Sequence, residues 1–433
     1  MTLIRTLDAR EGPIAELQAL RKRSLGEVSP RLDEEVRRIM ADVKDRGDDA
    51  LVELTRRLDC PEFTADQIAI GPDEFHAAYK EVPDAWVRAF RNALANVRAF
   101  QERAKEQSWL ETFDGLILGH HVTPVRSAGL YVPAKAAPLP SSLLMSAIPA
   151  QVAGVPRIVF ATPPRADGSV DPTMLVAAAE CGVHEAYRMG GAQAIAALAF
   201  GTQTVAPVVK IVGPGNPWVS VAKKYAFGIA GIDSIAGPSE SLIIADQTAR
   251  PDLVAADLLT QAEHTGDNTV ILLTHSEDLA SSTIAELERQ IASLERSELT
   301  RESLSEHSFI VLTKSVEQSA RIANDIAPEH LQVLVRDPFE VLERIENAGC
   351  IFLGENAPVP LGDYAAGPSH VLPTYGTARF SAPLSVNDFL KVSSVVYANR
   401  HGLERIGPDV MELAQGEGLQ AHAEAVRRRL SEE

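Results

Sequence analysis

Cysteine is scarce in this chain: three in 433 residues, Cys60, Cys181 and Cys350, far apart and with no C-x-x-C pair. That excludes a disulfide framework and a thiolate zinc site. Positive charge is short as well. The formal net charge is −18, and the one tight basic run, Arg427-Arg428-Arg429, falls at the end of a predicted helix, where cations suit the dipole. Nucleic acid and anionic membrane are therefore not expected as partners. The first ten residues lack a long apolar run with a small-residue cleavage site, so no signal peptide is expected and the location is read as cytoplasmic. The stretch from Ala136 to Pro156 carries no charge, but prolines at 138, 140, 149 and 156 rule out a straight membrane-spanning helix. Low-complexity tails and short repeats are absent too.

What is present is an ordinary globular balance, 45% hydrophobic and 23% charged, in a chain too long for a single ordinary core. The opening quarter reads as helical. Ile14, Leu17 and Leu20 space an arm, Ser29-Pro30 opens a helix to Arg46, and further helices cover Asp49–Leu58 and Pro83–Lys105. From about His121 a strand–helix rhythm begins. Apolar strands at 157–162, 185–189, 208–212, 241–246, 269–274, 309–312, 331–335 and 349–354 alternate with helices, which predicts an α/β fold with a mostly parallel sheet. After about Thr377 the chain is expected to be helical to its end.

Four stretches carry possible chemistry. Gln261 and His264, three residues apart at the predicted last turn of a helix, point the same way, and together they suit a cation or nothing more than a solvated amide and a capping imidazole. Gly213-Pro214-Gly215-Asn216-Pro217 joins a strand to a helix and offers backbone N–H groups to a phosphate, although Trp218 leaves the dinucleotide fingerprint incomplete; a ligand-free tight turn fits equally. Glu329-His330 places a carboxylate and an imidazole side by side before a strand, where both reach one substrate only if the chain bends, with Pro328 at hand to help. Asp363 and His370 on a loop, with Glu417 and His422 near the end, add acids and imidazoles. Gln261, His264, Asp363 and His422 would form an N/O metal site without sulfur, but no compact motif joins ligands so dispersed.

Several segments occur in a telling order: Ser127 to Pro133, Pro140-Ser141-Ser142, Gly190 to Ile195, Val212 to Asn216, Ala236 to Glu240, Gln261 to His264, Ala327 to Leu331, Gly362-Asp363-Tyr364, His370 to Thr374 and Glu417 to His422. Together they resemble the histidinol dehydrogenase family, over nearly the whole chain from about Arg31 to Arg429. The resemblance implies zinc-dependent oxidation of L-histidinol to L-histidinal and then L-histidine with two NAD+, the last steps of histidine biosynthesis. It implies one Zn2+ per subunit on Gln261, His264, Asp363 and His422, with Glu329 activating water and His330 as general base. Ser239, Gln261, His264, His330, Asp363, His370, Glu417 and His422 would meet the substrate, and Tyr131, Gln193 and Asn216 would meet NAD.

The architecture implied is two Rossmann-like αβα domains in a domain-swapped homodimer. Residues 1–25 form a helical arm, 26–130 with 240–383 the domain carrying zinc and the catalytic pair, 131–239 the NAD-side domain, and 384–433 a helical tail completing the partner subunit's site. Two departures stand out. Pro133 is followed by Ala134-Lys135 where the family has two glycines, and Ala382-Pro383 stands where it more often has Ser-Gly. The first keeps open a related zinc- and NAD-dependent dehydrogenase of another small polar alcohol, such as a sulfopropanediol. A non-catalytic binding protein would have lost a base or a ligand, and none is lost.

Overall fold

The computed structural model describes residues 3–22, 29–134, 137–235, 237–264 and 267–431. Lys135, half of the first departure, and Thr265-Gly266, which follow the Gln261–His264 stretch, lie outside them. The chain divides into two compact units: Met1–Ala104 with Arg126–Phe389, and Lys105–Val125 with Leu390–Glu433.

The first unit holds two parallel sheets. The six-stranded one runs in the order Arg5–Asp8, Phe309–Leu312, Thr269–Thr274, Glu240–Ala245, His330–Leu334, Cys350–Leu353. The five-stranded one runs Glu185–Arg188, Arg157–Thr162, Ser127–Tyr131, Lys210–Val212, Gly231–Ile232. Inner strands such as Glu240–Ala245 and Thr269–Thr274 are buried along their whole length, as strands covered by helices on both faces must be. Thus the fold is α/β with parallel-rich sheets.

Four expectations change. The arm is not purely helical: Arg5–Asp8 pairs in parallel with Phe309–Leu312 as an edge strand, because a backbone lying along a sheet edge satisfies its polar groups there. The helices Pro30–Arg46 and Asp48–Leu58 do not join residues 240–383. Val36, Ile39, Val43 and Leu51 share a core with Val159, Ile195 and Ile211 of the five-stranded sheet and its helices, since their apolar stripes are buried there. Residues 105–125 leave both sheets and supply Trp109–Phe113 and Leu116–Pro124 to a three-stranded antiparallel sheet in the second unit. Its third strand is Leu390–Ala398, so the tail opens with a strand rather than a helix; Val392, Val395 and Val396 favour the extended chain. The helices Arg400–Gly416 and Gln420–Ser431 complete that unit.

Candidate active site

Opposite ends of the two sheets contribute to one cavity of ≈ 660 Å³. Tyr131, Pro163, Gly213 and Asp233 each end or directly follow a strand of the five-stranded sheet, so that sheet presents its carboxyl edge. Ser239, Asn268 and Glu329 each directly precede a strand of the six-stranded sheet, which presents its amino edge. The carboxyl edge of an open parallel sheet is where nucleotides bind.

At that edge Asn216 caps the helix Pro217–Ala226, its Oδ1 accepting from Val219 N at 3.2 Å, with Pro217 at the first helical position. Gly213 has φ of 121° and a side chain there would meet the Tyr131 carbonyl at 2.0 Å, so only glycine lets the turn close on that strand. Beneath it Asp233 accepts from Gly213 N at 2.8 Å, while Lys223 donates to Gly213 O at 3.0 Å and ion-pairs with Asp233. The buried Tyr131 phenol, pushed up to about 12 by burial, accepts from Gly191 N at 3.1 Å. Gln193 is buried with neither amide atom hydrogen-bonded among the described residues. An orphaned buried amide costs about 1–3 kcal/mol, an expense a polar ligand would remove.

At the amino edge of the other sheet, the helix Val316–Ile326 stops at Ala327, which takes left-handed φ and ψ of 53° and 64°. That reversal, with Pro328, provides the required bend. Glu329 Oε2 accepts from Glu240 N at 2.9 Å and lies 3.7 Å from His330 Nδ1. His330 Nδ1–H donates to the Glu240 carbonyl at 3.2 Å, leaving Nε2 3.5 Å from Asp363 Oδ1. Burial pushes Glu329 up to about 7, only partly opposed by His330 and the Glu240 N–H. For His330 burial works downward, but Glu329, Asp363 and the Glu240 carbonyl outweigh it and its pKa is raised.

Gln261 lies at the end of the helix Pro251–Ala262, buried, its Oε1 without a hydrogen-bond partner among the described residues while Asn268 Nδ2 donates to its carbonyl. His264 falls two residues beyond the helix rather than on its last turn, held by its N–H on the Gln261 carbonyl at 3.3 Å. Its ring is an exposed part of the cavity wall, yet desolvation by the surrounding cleft lowers its pKa against the pull of Asp363. Asp363 belongs to the short helix Val359–Tyr364, not to a loop. Burial alone would raise its pKa, but the imidazoles of His330, His370 and His264 hold it low. His370 Nδ1–H donates to the Asp363 carbonyl at 2.7 Å, and Ser142 Oγ lies 3.0 Å from Nε2; burial pushes the pKa of this imidazole below its ordinary value.

Tyr131, Gln193, Asn216, Ser239, His264, Glu329 and His370 therefore wall one cavity, with buried Gln261 and His330 and half-buried Asp363 behind them. Glu417 and His422 lie in the second unit and are exposed there. Reading by residue type passes over Glu240, whose backbone holds both Glu329 and His330, and Ser142, whose hydroxyl meets the second ring nitrogen of His370. Both stand inside the motifs quoted above, but main-chain groups and a lone serine leave no spacing signal.

A family model described as histidinol dehydrogenase matches residues 22–430. The chain belongs to the histidinol dehydrogenase family. A histidinol dehydrogenase of Gloeobacter violaceus is 45% identical over 418 residues, 96% of this chain and 94% of that one. Another, of Geobacter sulfurreducens, is 46% identical over 99% of this chain and 100% of its own length. The crystal structure of histidinol dehydrogenase from Elizabethkingia anophelis superposes with a TM-score of 0.94 at 36% identity, covering 99% of this chain and 98% of that one. Membership of the family makes this chain an NAD-dependent oxidoreductase acting on a CH–OH group. No helix among the described residues is long and apolar enough to cross a membrane.

Proposed function

We propose that the chain oxidises L-histidinol to L-histidine through L-histidinal, in the cytoplasm, as the last steps of histidine biosynthesis, with two NAD+ and one Zn2+ per subunit. The observation that carries this reading is the meeting in one cavity of an orphaned Gln193 amide at a nucleotide-type sheet edge with a Glu329–His330 pair at the other. Gln261, His264 and Asp363 would hold the zinc with His422 of the partner subunit. The donor set fits: amide oxygen, imidazole and carboxylate are hard or borderline ligands, and the buried, unpartnered Gln261 Oε1 awaits a cation or proton donor. When bound, the metal supplies an electrophilic anchor that orients the substrate's imidazole and amine, and the nicotinamide supplies the hydride acceptor.

The chain's own groups then account for the protons. His330 Nε2, its Nδ1–H fixed on the Glu240 carbonyl, takes the hydroxyl proton as the alcohol carbon gives up hydride. At the aldehyde stage Glu329, in its ionised form, removes a proton from the attacking water, and His330 serves again when the resulting hydrate is oxidised. Two electrons leave at each stage, four in all. Ser239, His370 and Glu417 of the partner subunit would orient the substrate, the last through its ammonium group, and Tyr131, Gln193 and Asn216 would hold NAD.

A homodimer that exchanges its C-terminal tails accords with the second unit. Every residue of Trp109–Phe113 is exposed, and Val396, Tyr397 and Leu413 stand out among its exposed apolar side chains. Apolar surface on a three-stranded sheet of this kind suits burial against a second copy.

Complete consumption of limiting L-histidinol is expected to yield two NADH per molecule; a yield of one would refute the double oxidation. Because the Glu329 carboxyl titrates near 7, the aldehyde stage, assayed with L-histidinal, should slow as pH falls through 7 and Glu329 is protonated. Glu329→Gln should lower and flatten that profile. A rate indifferent to pH between 6 and 8 in the parent would remove Glu329 from the step.

A further inference from the structure

Asp257 and Gln332 form a polar pair inside an otherwise apolar layer. Gln332 Nε2 donates to Asp257 Oδ2 at 2.5 Å; Gln332 is 0% exposed and Asp257 7%. Around them Val254, Leu258 and Leu334 belong to one hydrophobic cluster. A buried pair of this kind gains little stability over apolar residues of similar volume, and here the Gln332 Oε1 has no partner among the described residues. Its position supplies a different reason for its presence.

The helix Pro251–Ala262 is the crossover between the parallel strands Glu240–Ala245 and Thr269–Thr274, so it runs antiparallel to them and to the parallel strand His330–Leu334. Moving from Gln332 to His330 is two residues back along the strand, on the same face, about 6.6 Å. Moving from Asp257 to Gln261 is four residues forward along the helix, about 6 Å in the same direction. A hydrogen bond between Asp257 and Gln332 therefore brings Gln261 level with His330, one rung further along.

We propose that the Asp257–Gln332 hydrogen bond is a positioning clamp, which sets the metal-holding end of this helix against the strand that carries the base. The proposal rests on the metal reading above. Asp257 and Gln332 are not among the residues lining the cavity; they act through Gln261, His264 and His330. Sliding the helix by a fraction of a turn would part the ligands from the base while leaving the apolar contacts of Val254 and Leu258 nearly intact, because leucine and valine contacts are not directional. The short polar contact is what resists that slide.

The test is zinc affinity, titrated against a fluorescent chelator, beside thermal unfolding and steady-state kinetics. The double variant Asp257→Leu/Gln332→Leu removes the pair without leaving an orphaned charge. It is expected to melt at or above the parent temperature, to bind zinc about 10–100-fold more weakly, and to lose kcat while KM for NAD+ stays put, since the cofactor contacts belong to the other sheet. Parent-like zinc affinity, with only the melting temperature changed, would overturn the clamp. Should the double variant fail to fold, the isosteric Asp257→Asn decides. It keeps the shape, weakens the charge-assisted bond, and is expected to cost several-fold in zinc affinity; none lost overturns the proposal. Gln261→Ala is the control: if it too keeps parent affinity, the metal reading fails and the clamp with it, a result distinct from failure of the clamp alone.

Discussion

Replacing His330 by Asn is expected to lower kcat for L-histidinol oxidation by about 10²–10⁴-fold, the range of a lost general base, while zinc content remains at one per subunit. The physical grounds lie in the two ring nitrogens. Nδ1–H is committed to the Glu240 carbonyl at 3.2 Å, so Nε2 is the nitrogen left to receive a proton, and Glu329 and Asp363 on either side stabilise the imidazolium that forms. Asparagine can keep the hydrogen bond to Glu240 but cannot take up a proton. Its shorter side chain leaves a small gap rather than an overlap in a fully buried position, so the fold should survive. The check pairs NADH formation with metal analysis of the same preparation. Full activity in the variant would sink the base assignment, and loss of zinc alongside activity would show that His330 acts as a ligand instead.

Removal of the metal is expected to abolish turnover, and added Zn2+ or Mn2+ to restore it. Gln261 Oε1 explains the size of the effect. A buried amide oxygen without a hydrogen-bond partner is an unfavourable element of the fold taken alone, and it becomes favourable only when something electropositive occupies the space it faces. Asp363 tells the same story from the other side. Its carboxyl is held ionised among three imidazoles, which is the state a cation requires. Dialysis against a chelator, followed by activity measurement before and after metal addition, tests this directly. A chelated enzyme that still oxidises L-histidinol at the parent rate would refute the metal reading.

Much of the fold was legible along the chain because its signals are local. Apolar runs of strand length mark the inner strands of the six-stranded sheet and Arg157–Thr162 and Lys210–Val212 of the five-stranded one, since a parallel strand covered on two faces is mostly apolar, whereas the central strand Ser127–Tyr131 was not among the expected strands. Asn216-Pro217 and Ser29-Pro30 announce helix starts through capping chemistry that needs no tertiary partner. Two edge strands were not legible, although Glu185–Arg188 and Cys350–Leu353, edges as well, were. Arg5–Asp8 and Leu390–Ala398 carry charged or polar residues, are mostly exposed, and pair where another segment offers a free edge, a partner that lies far away along the chain. Nor did the sequence disclose which sheet receives the helices 30–58, for an amphipathic stripe demands an apolar partner without naming it.

The candidate site divides along the same line. By itself the sequence determined the chemistry available: which acids, imidazoles and amides the chain carries, that its three cysteines form no C-x-x-C pair, and, through the order of its motifs, the family. Only the tertiary structure decided how those groups stand. The left-handed turn at Ala327 bends the chain into the site, and the Glu240 backbone between Glu329 and His330, the Ser142 hydroxyl against His370 and the Asp257–Gln332 pair join residues between 75 and 228 positions apart. Hydrogen bonds and desolvation depend on distances in space. Chain spacing encodes such distances inside one helix or strand, and between separate elements it encodes nothing until the apolar layers have packed.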